Sequence, residues 1–168
     1  MPAEPVAIAF ANTRSSADRD RIATLTEWRA WVDAWPGLRP AGHAVDADGL
    51  LALRSTRDDL QLLLRDVAAG HRPDPALLVR PAREPELRWH GDRLTLAVPA
   101  DGTAAAVVAH HLVSAAVDLV VTGPSFAACR GEDCRKLFVA SRPDRRWCDS
   151  AVCGNRVRVR AHSRRNRD

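Results

Sequence analysis

Apolar residues recur at helical spacing in two stretches of the first half of the chain. The first stretch predicts a helix from about Asp20 to Trp35, ended by a Pro-Gly pair. The second predicts a helix that is capped by Ser55 or Thr56 and ends at Gly70. The apolar face of the first helix consists of Leu25, Trp28, Trp31, Val32 and Trp35. Three tryptophans on one face suit a hydrophobic core or an aromatic ligand platform, and large aromatic side chains favour the core.

The second half of the chain changes its pattern twice. Apolar and polar residues alternate over residues 86–98 around Gly91-Asp92, which predicts a β-hairpin with a tight turn. Residues 103–121 are almost wholly apolar at helical spacing, which predicts a central buried helix. Before the hairpin, Asp74-Pro75 predicts a short helix that runs through Val79.

These elements predict a mainly helical α+β domain over residues 1–124, followed by a small C-terminal segment over residues 125–168. His110 and His111 lie in the long helix, where adjacent side chains point about 100° apart and do not converge on one ion. We therefore interpret both histidines as structural or solvent-edge residues. We find no apolar run of about 18 residues and no secretory leader, so we expect a cytoplasmic protein without a membrane partner.

The basic residues are concentrated towards the C-terminal end. Residues 129–168 contain twelve Arg or Lys and five Asp or Glu, a net charge of +7, whereas residues 1–128 contain 13 and 16, a net charge of −3. Such an excess predicts an anionic partner. Lys136 is the only lysine in the chain, which a biased genome would explain. That bias does not explain why the excess is confined to one end.

Four cysteines follow the pattern C-x4-C-x13-C-x4-C at Cys129, Cys134, Cys148 and Cys153. Two close pairs joined by a spacer suit one structural Zn²⁺ held by four thiolates. We expect the spacer to form a hairpin that pairs residues 136–140 with residues 145–148. Disulfides would need an oxidising compartment, and a redox or catalytic cysteine would need a general base or an open metal position. The sequence points to neither.

After the last cysteine the chain can continue as a helix, with Asp149 or Ser150 as its cap. The arginines of this helix form two stripes, one of Arg156, Arg160, Arg164 and Arg167 and the other of Arg158 and Arg165. A helix that is polar nearly all round is marginal alone or docks on a charged partner. The phosphate backbone of a nucleic acid is a charged partner that such a helix can bind. A solvated and frayed tail is the alternative.

The C-terminal segment resembles the CGNR zinc finger, whose signature stands here as Cys153-Gly154-Asn155-Arg156. The match runs from Cys129 through Arg165 and includes the segments "LFVA" and "RRWC". The N-terminal part resembles the ABATE domain through "FANTR" at Phe10–Arg14, the tryptophan helix, the hairpin and the long apolar helix. The resemblance implies a zinc-bound, DNA-binding finger fused to a ligand-sensing or regulatory domain, in a bacterial stress-induced transcription regulator.

We expect the finger to be treble-clef-like or ribbon-like, with a β-hairpin followed by a basic helix. The leading hypothesis is a DNA-binding transcription regulator that needs one zinc ion and is not an enzyme. Nucleic-acid contacts are assigned to Asn155, Arg156, Arg158, Arg160, Arg164 and Arg165. Because so small a finger offers a small footprint, a homodimer formed along the 103–121 helix is a further hypothesis.

Two other functions remain open. An RNA-binding finger is the first, since composition does not separate RNA from DNA. The second is a small-molecule-binding protein or an enzyme in which the finger is purely structural. Its pocket would combine a polar cluster with an aromatic wall, a composition typical of small-ligand sites. The residues of that pocket would be Asn12, Thr13, Arg14, Trp28, Trp31 and Trp35.

Overall fold

The computed structural model describes residues 4–73, 86–90, 93–97 and 102–165, with the backbone alone for the two middle segments. Its helices are α1 (Val6–Ala11), α2 (Leu25–Val32), α3 (Arg39–His43), α4 (Ala47–Ala68), α5 (Ala104–Val121) and α6 (Asn155–Arg165). Its strands are β1 (Arg14–Ser16), β2 (Arg19–Asp20), β3 (Glu86–His90), β4 (Arg93–Ala97), β5 (Phe126–Ala128) and β6 (Leu137–Val139), and a π-helical turn spans Ser150–Gly154. The predicted mainly helical α+β class is confirmed.

The core of the N-terminal part is built on α1, α4 and α5, which contact one another, and on α2 and α3 beside them. Although α1 is only six residues long, it is inserted between the longer helices, and its Ile8 and Phe10 are fully buried. Leu64 of α4 and Leu112 of α5 are also fully buried. Each such side chain contributes about 1.5–3 kcal/mol through the hydrophobic effect. This packing fixes the end of α1, from which Asn12 reaches the C-terminal segment.

Helix α2 begins at Leu25 rather than at about Asp20, so its predicted start is wrong. Thr24 and Glu27 form a capping box, in which each side chain accepts a hydrogen bond from the backbone N–H of the other residue. Asp20 belongs instead to β2, which pairs with β1. The cap therefore leaves Asp20 outside the helix, where it can pair with buried arginine.

Helix α4 is longer than predicted because it begins at Ala47 rather than at Ser55-Thr56. The carboxylate of Asp46 accepts a hydrogen bond from the backbone N–H of Gly49 at 2.8 Å, which supplies the true cap. The helix ends before Gly70, as predicted, and this glycine has a φ of +79°. Glycine adopts that left-handed conformation without strain.

The predicted hairpin and the predicted long helix are both confirmed. Strands β3 and β4 pair antiparallel from Glu86–Ala97 to His90–Arg93. Helix α5 packs against α1, α3 and α4. Among the described helices it alone is long and apolar enough to cross a membrane, and 33% of that span is buried in the fold. The short helix predicted for residues 74–79 lies outside the described residues.

A further hairpin connects the C-terminal segment to the core. Strand β5 pairs antiparallel with β6, and Leu137 of β6 is buried in the same core as α1 and α4. The predicted pairing of residues 136–140 with residues 145–148 is wrong, because residues 137–139 pair with β5. The Arg145 side chain binds the carbonyl groups of Trp147 and Cys148, which a strand would need for its ladder. The domain division at residue 124 stays a prediction, since the core continues across it.

Candidate metal centre and nucleic-acid interface

The four cysteines converge on one point. We call residues 129–134, in the loop between β5 and β6, the first knuckle, and residues 148–153 the second knuckle. Their four Sγ atoms all lie within 4.8 Å of one another. The Sγ atom of Cys148 lies 3.8 Å from that of Cys134 and 3.6 Å from that of Cys153.

These separations fit a zinc ion. In a tetrahedral site with Zn–S bonds of about 2.3 Å, the sulfur atoms lie about 3.8 Å apart. All four cysteines are free of disulfides, and four thiolates form a closed coordination shell typical of structural zinc. The cluster is therefore a structural site for one zinc ion, as predicted.

The thiols of the cluster differ in acidity. Burial acts to raise the pKa of Cys129, but backbone N–H groups of Cys148 and Gly131, at 3.4 and 3.5 Å from its Sγ, leave that pKa lowered. Burial and the neighbouring cysteines raise the pKa of Cys148, and burial raises the pKa of Cys153 to about 11. Since zinc binds thiolates, the ion must displace protons from the less acidic thiols. Zinc binding therefore weakens as the pH falls.

Arg145 and Gly154 shape the second knuckle. The Arg145 guanidinium donates to the carbonyl groups of Trp147 at 3.1 Å and Cys148 at 2.7 Å, and it lies 4.6 Å from the ring centre of Phe138. A Cβ atom at position 154 would lie 3.0 Å from the Trp147 ring, so glycine allows this close approach. The guanidinium of Arg145 is thus engaged in contacts within the finger.

Helix α6 leaves the second knuckle without burying any side chain. The carboxylate of Asp149 accepts from the backbone N–H groups of Ala151 at 2.8 Å and Val152 at 3.0 Å, so Asp149 is the cap of the π-helical turn that leads into α6. Val157 and Ala161 are half-buried. The exposed residues include every predicted nucleic-acid contact: Asn155, Arg156, Arg158, Arg160, Arg164 and Arg165.

Two of these arginines are paired with acidic residues of the first knuckle. Glu132 binds Arg160 through one carboxylate oxygen, and its other oxygen lies 3.3 Å from Arg164. Asp133 lies 3.7 Å from Arg160. Ion pairs thereby join the first knuckle to α6, the helix that follows the second knuckle.

The other predicted contacts have no carboxylate partner among the described residues. Arg158 makes one long hydrogen bond, of 3.4 Å, to the carbonyl of Ser150. The side chains of Asn155, Arg156 and Arg165 make no hydrogen bond or ion pair within the described part of the chain. The predicted set therefore divides into arginines that the finger already neutralises and residues that it leaves available.

The end of the first knuckle and the start of β6, which follows it, are bound to the N-terminal part by a group of contacts that we call the socket. The Asn12 side chain donates to the carbonyl of Leu137 at 2.9 Å and accepts from its N–H at 2.8 Å, as a neighbouring strand would. The backbone N–H of the residue after Cys134 donates to the carbonyl of Ser15 at 3.0 Å. Arg65 of α4 reaches the carbonyl of Cys134 at 3.5 Å.

Two family models match the chain. The first covers residues 4–123 and is ABATE, described as "Putative stress-induced transcription regulator". The chain belongs to the ABATE family. The second covers residues 126–166 and is the CGNR zinc finger, so the resemblance stated from the sequence is confirmed for both parts. No curated protein matches the chain.

The polar residues predicted to line a pocket in the ABATE part are engaged in internal contacts. Asn12 is 8% exposed and belongs to the socket. The Thr13 hydroxyl is buried and donates to the carbonyl of Phe10 at 2.7 Å, while Arg14 pairs with Asp58 at 2.6 Å. These partners account for the polar groups without a ligand.

The three tryptophans of the ABATE part lie in the hydrophobic core or pack against it, as predicted. Trp28 is fully buried, and its indole N–H donates to the carbonyl of Gly42 at 2.8 Å. Trp31 stacks on Trp28 with ring centres 5.5 Å apart, and Trp35 lies 5.8 Å further along. Both are half-buried and pack against the core. The structure thus gives all six residues partners within the fold, and a ligand pocket formed by them stays a prediction.

A buried charge network lies behind the socket. The fully buried Arg57 of α4 binds Asp20 at 2.6 Å and Asp58 at 2.9 Å. Burial acts to raise the pKa of Asp20, but its hydrogen bonds and the charges of Arg57 and Arg54 leave it lowered. Asp58 also holds Arg14, which precedes Ser15 of the socket. The network therefore fixes the β1–β2 segment that receives the first knuckle.

Sequence reasoning missed the roles of Glu132, Arg65 and Asn12 in joining the two parts. Glu132 and Asp133 are the only acidic residues between the first two cysteines, next to a basic segment, and that contrast was a usable signal. Asn12 stood out in "FANTR", but its partner is 125 residues away. No local pattern marks Arg65 as a partner of the first knuckle.

Proposed function

We propose that this ABATE protein is a zinc-dependent nucleic-acid-binding protein, and specifically a DNA-binding transcription regulator. The observation that carries the proposal is α6, an 11-residue helix with five arginines and no buried side chain, which begins directly at the metal site. A helix with no fully buried side chain gains little from the rest of the fold. Its guanidinium groups suit phosphate, which they contact while releasing counterions from the nucleic acid.

The family description supports DNA as the target, because a transcription regulator acts on DNA. A cytoplasmic location follows from the same proposal. In this proposal the ABATE part has a regulatory role and no catalytic role. The internal contacts of Asn12, Thr13 and Trp28 support this assignment, since they leave those polar groups committed to the fold.

Binding of the zinc-loaded full chain to a fluorescent duplex of random sequence and to an RNA hairpin of equal phosphate count tests the proposal. Changing Arg156, Arg158 and Arg165 together to Gln should weaken duplex binding at least about tenfold and reduce the salt slope by about 2 to 3. The matched control changes three exposed arginines of the N-terminal part to Gln: Arg21, Arg29 and Arg72. It removes the same charge from another surface.

Equal losses in the two triple variants would contradict a role for α6 and point to overall charge alone. Stronger binding to the RNA at matched salt would transfer the proposal to the RNA alternative. Selection of genomic fragments by the zinc-loaded protein at two salt concentrations adds the test of specificity. Enrichment that persists at the higher salt is the result expected of a transcription regulator.

A further inference from the structure

We propose that Glu132, assisted by Asp133, competes with nucleic-acid phosphate for Arg160 and Arg164. The phosphate-contacting surface of α6 is then formed by the arginines without a carboxylate partner, Arg156, Arg158 and Arg165. This inference rests on the proposed function, since it concerns the affinity of the same helix. It assigns to the first knuckle a part in setting how tightly the finger binds.

The geometry makes Glu132 an effective competitor. Its two carboxylate oxygens are divided between Arg160 and Arg164, which lie one helical turn apart on the same face. A carboxylate and a phosphate use the same donors of a guanidinium, so these ion pairs occupy positions that a phosphate oxygen would take. A phosphodiester at this face would have to displace Glu132.

The metal site holds the competitor in place. Glu132 and Asp133 lie in the short loop between Cys129 and Cys134, while Arg160 and Arg164 lie on the helix that follows Cys153. Asp133 has a φ of 63°, so this loop turns through a left-handed residue. The same folded finger that presents α6 therefore also presents the acids.

The ion pairs are exposed, which limits their strength. The side chains of Arg160 and Glu132 are 43% and 49% exposed, and that of Arg164 is 72% exposed. Exposed pairs are weak and are screened by salt. The competition therefore lowers affinity without abolishing binding, and removal of the carboxylate should leave the finger folded.

The test compares Glu132→Gln with Asp144→Asn in the zinc-loaded full chain, using the random-sequence duplex at low salt. Both substitutions raise the net charge by one, but Asp144 is exposed and has no ion-pair partner among the described residues. We expect Glu132→Gln to tighten binding about threefold to tenfold and to steepen the salt slope by about 1 to 2, with less than about a twofold gain for Asp144→Asn. Equal gains in the two variants would overturn the inference.

A cycle of variants provides the second measurement. Changing Arg160 and Arg164 together to Gln should cost little in the native chain and clearly more in the Glu132→Gln chain, because only there are both guanidiniums released. Equal costs in the two chains would contradict the competition. Asp133→Asn is a milder second variant, because Asn tolerates the left-handed backbone, and it should give a smaller gain than Glu132→Gln.

The outcomes separate this inference from the function on which it rests. Zinc content is measured for every variant, so that a lost metal site is recognised as such. If the native chain binds the duplex and Glu132→Gln gives no gain, the competition is refuted and the function stands. If neither chain binds duplex or RNA, both are refuted. Binding by the Glu132→Gln chain alone would support a competitor strong enough to mask the helix.

Discussion

The two knuckles of the metal centre are held in opposite ways. The first lies between two paired strands, and the segment directly after it is bound to the N-terminal part by Asn12 and Ser15. The second leads into α6, which contains no buried side chain. Four thiolates thus join a segment that the core supports to a segment supported mainly by the metal and its own hydrogen bonds. The zinc ion therefore contributes unequally to the stability of the two knuckles.

Removal of zinc should cause the largest difference in order between the two knuckles. Structural zinc binding contributes an apparent free energy of about 10–16 kcal/mol in small zinc-finger peptides, whereas α6 has almost no packing of its own. Chelation should therefore remove the hydrogen-exchange protection of the second knuckle and α6 and leave α4 and β6 protected. Mass spectrometry of exchange with and without chelator measures both regions.

Two substitutions, Cys148→Ser in the second knuckle and Cys134→Ser in the first, test the loss of zinc without a chelator. Both should release the ion, and both should leave α6 unprotected, because either loss opens the metal shell. The first knuckle should keep part of its protection in each variant, since the socket does not depend on a cysteine side chain. Loss of α4 protection together with that of α6 would contradict the comparison and show that the chain unfolds as one unit.

Asp20→Asn should cause the largest loss that leaves the metal site unchanged. It removes one of the two carboxylates that pair with the fully buried Arg57. Breaking a buried ion pair costs about 3–5 kcal/mol when the charge is left alone, and this loss should be smaller because Asp58 stays paired. Urea unfolding measures the free energy of unfolding. Asp18→Asn is the control, because Asp18 is exposed in the turn between the same two strands and has no ion-pair partner among the described residues.

The stability that the Asp20 carboxylate contributes should depend on pH in one direction. The pKa of Asp20 is lowered in the folded chain, so its contribution to stability is present above the unfolded pKa of about 3.9 and is lost as the pH falls through the folded value. The difference between native and Asp20→Asn chains should therefore be constant near neutral pH and shrink in acid. A difference that grew in acid would contradict the ion-pair explanation.

Asn12→Ala tests the socket itself. The change leaves the N–H and carbonyl of the buried Leu137 without their partner, which costs about 2–3 kcal/mol. Urea unfolding should shift accordingly, and β6 should lose exchange protection while the chain still binds one zinc ion. Asn155→Ala is the control, because the exposed Asn155 side chain has no hydrogen bond in the described structure. Equal stability of the two variants would show that the socket contributes nothing.

Features set by neighbouring residues were predictable from the sequence, whereas contacts between distant residues were not. The cysteine pattern and the 86–97 hairpin were predicted because neighbouring residues determine them. The pairing of Asn12 with Leu137 and of Glu132 with Arg160 was not, because residues 125 and 28 positions apart meet only after folding. The β5–β6 pairing was missed for a similar reason, since its register depends on the core that buries Leu137.

The smallest effects on stability should come from removing two aspartate caps. Both caps accept hydrogen bonds from backbone N–H groups, but one lies in the finger and the other in the N-terminal core. Asp149 accepts hydrogen bonds from N–H groups of the second knuckle, and Asp46 accepts one from the first turn of α4. Loss of such a cap costs about 1 kcal/mol. In Asp149→Ala that loss should speed zinc release to a chelator and exchange in α6, without changing the urea transition of the N-terminal part.

Asp46→Ala should show the reverse pattern, with a lower urea midpoint and an unchanged rate of zinc release. The reason is that α4 is buried in the core along much of its length, so a cap there stabilises the whole N-terminal part. The cap at Asp149 stabilises only a turn and a helix that bury little. If Asp149→Ala lowered the urea midpoint as much as Asp46→Ala, the second knuckle would be coupled to the core through more than the metal and the Glu132 ion pairs.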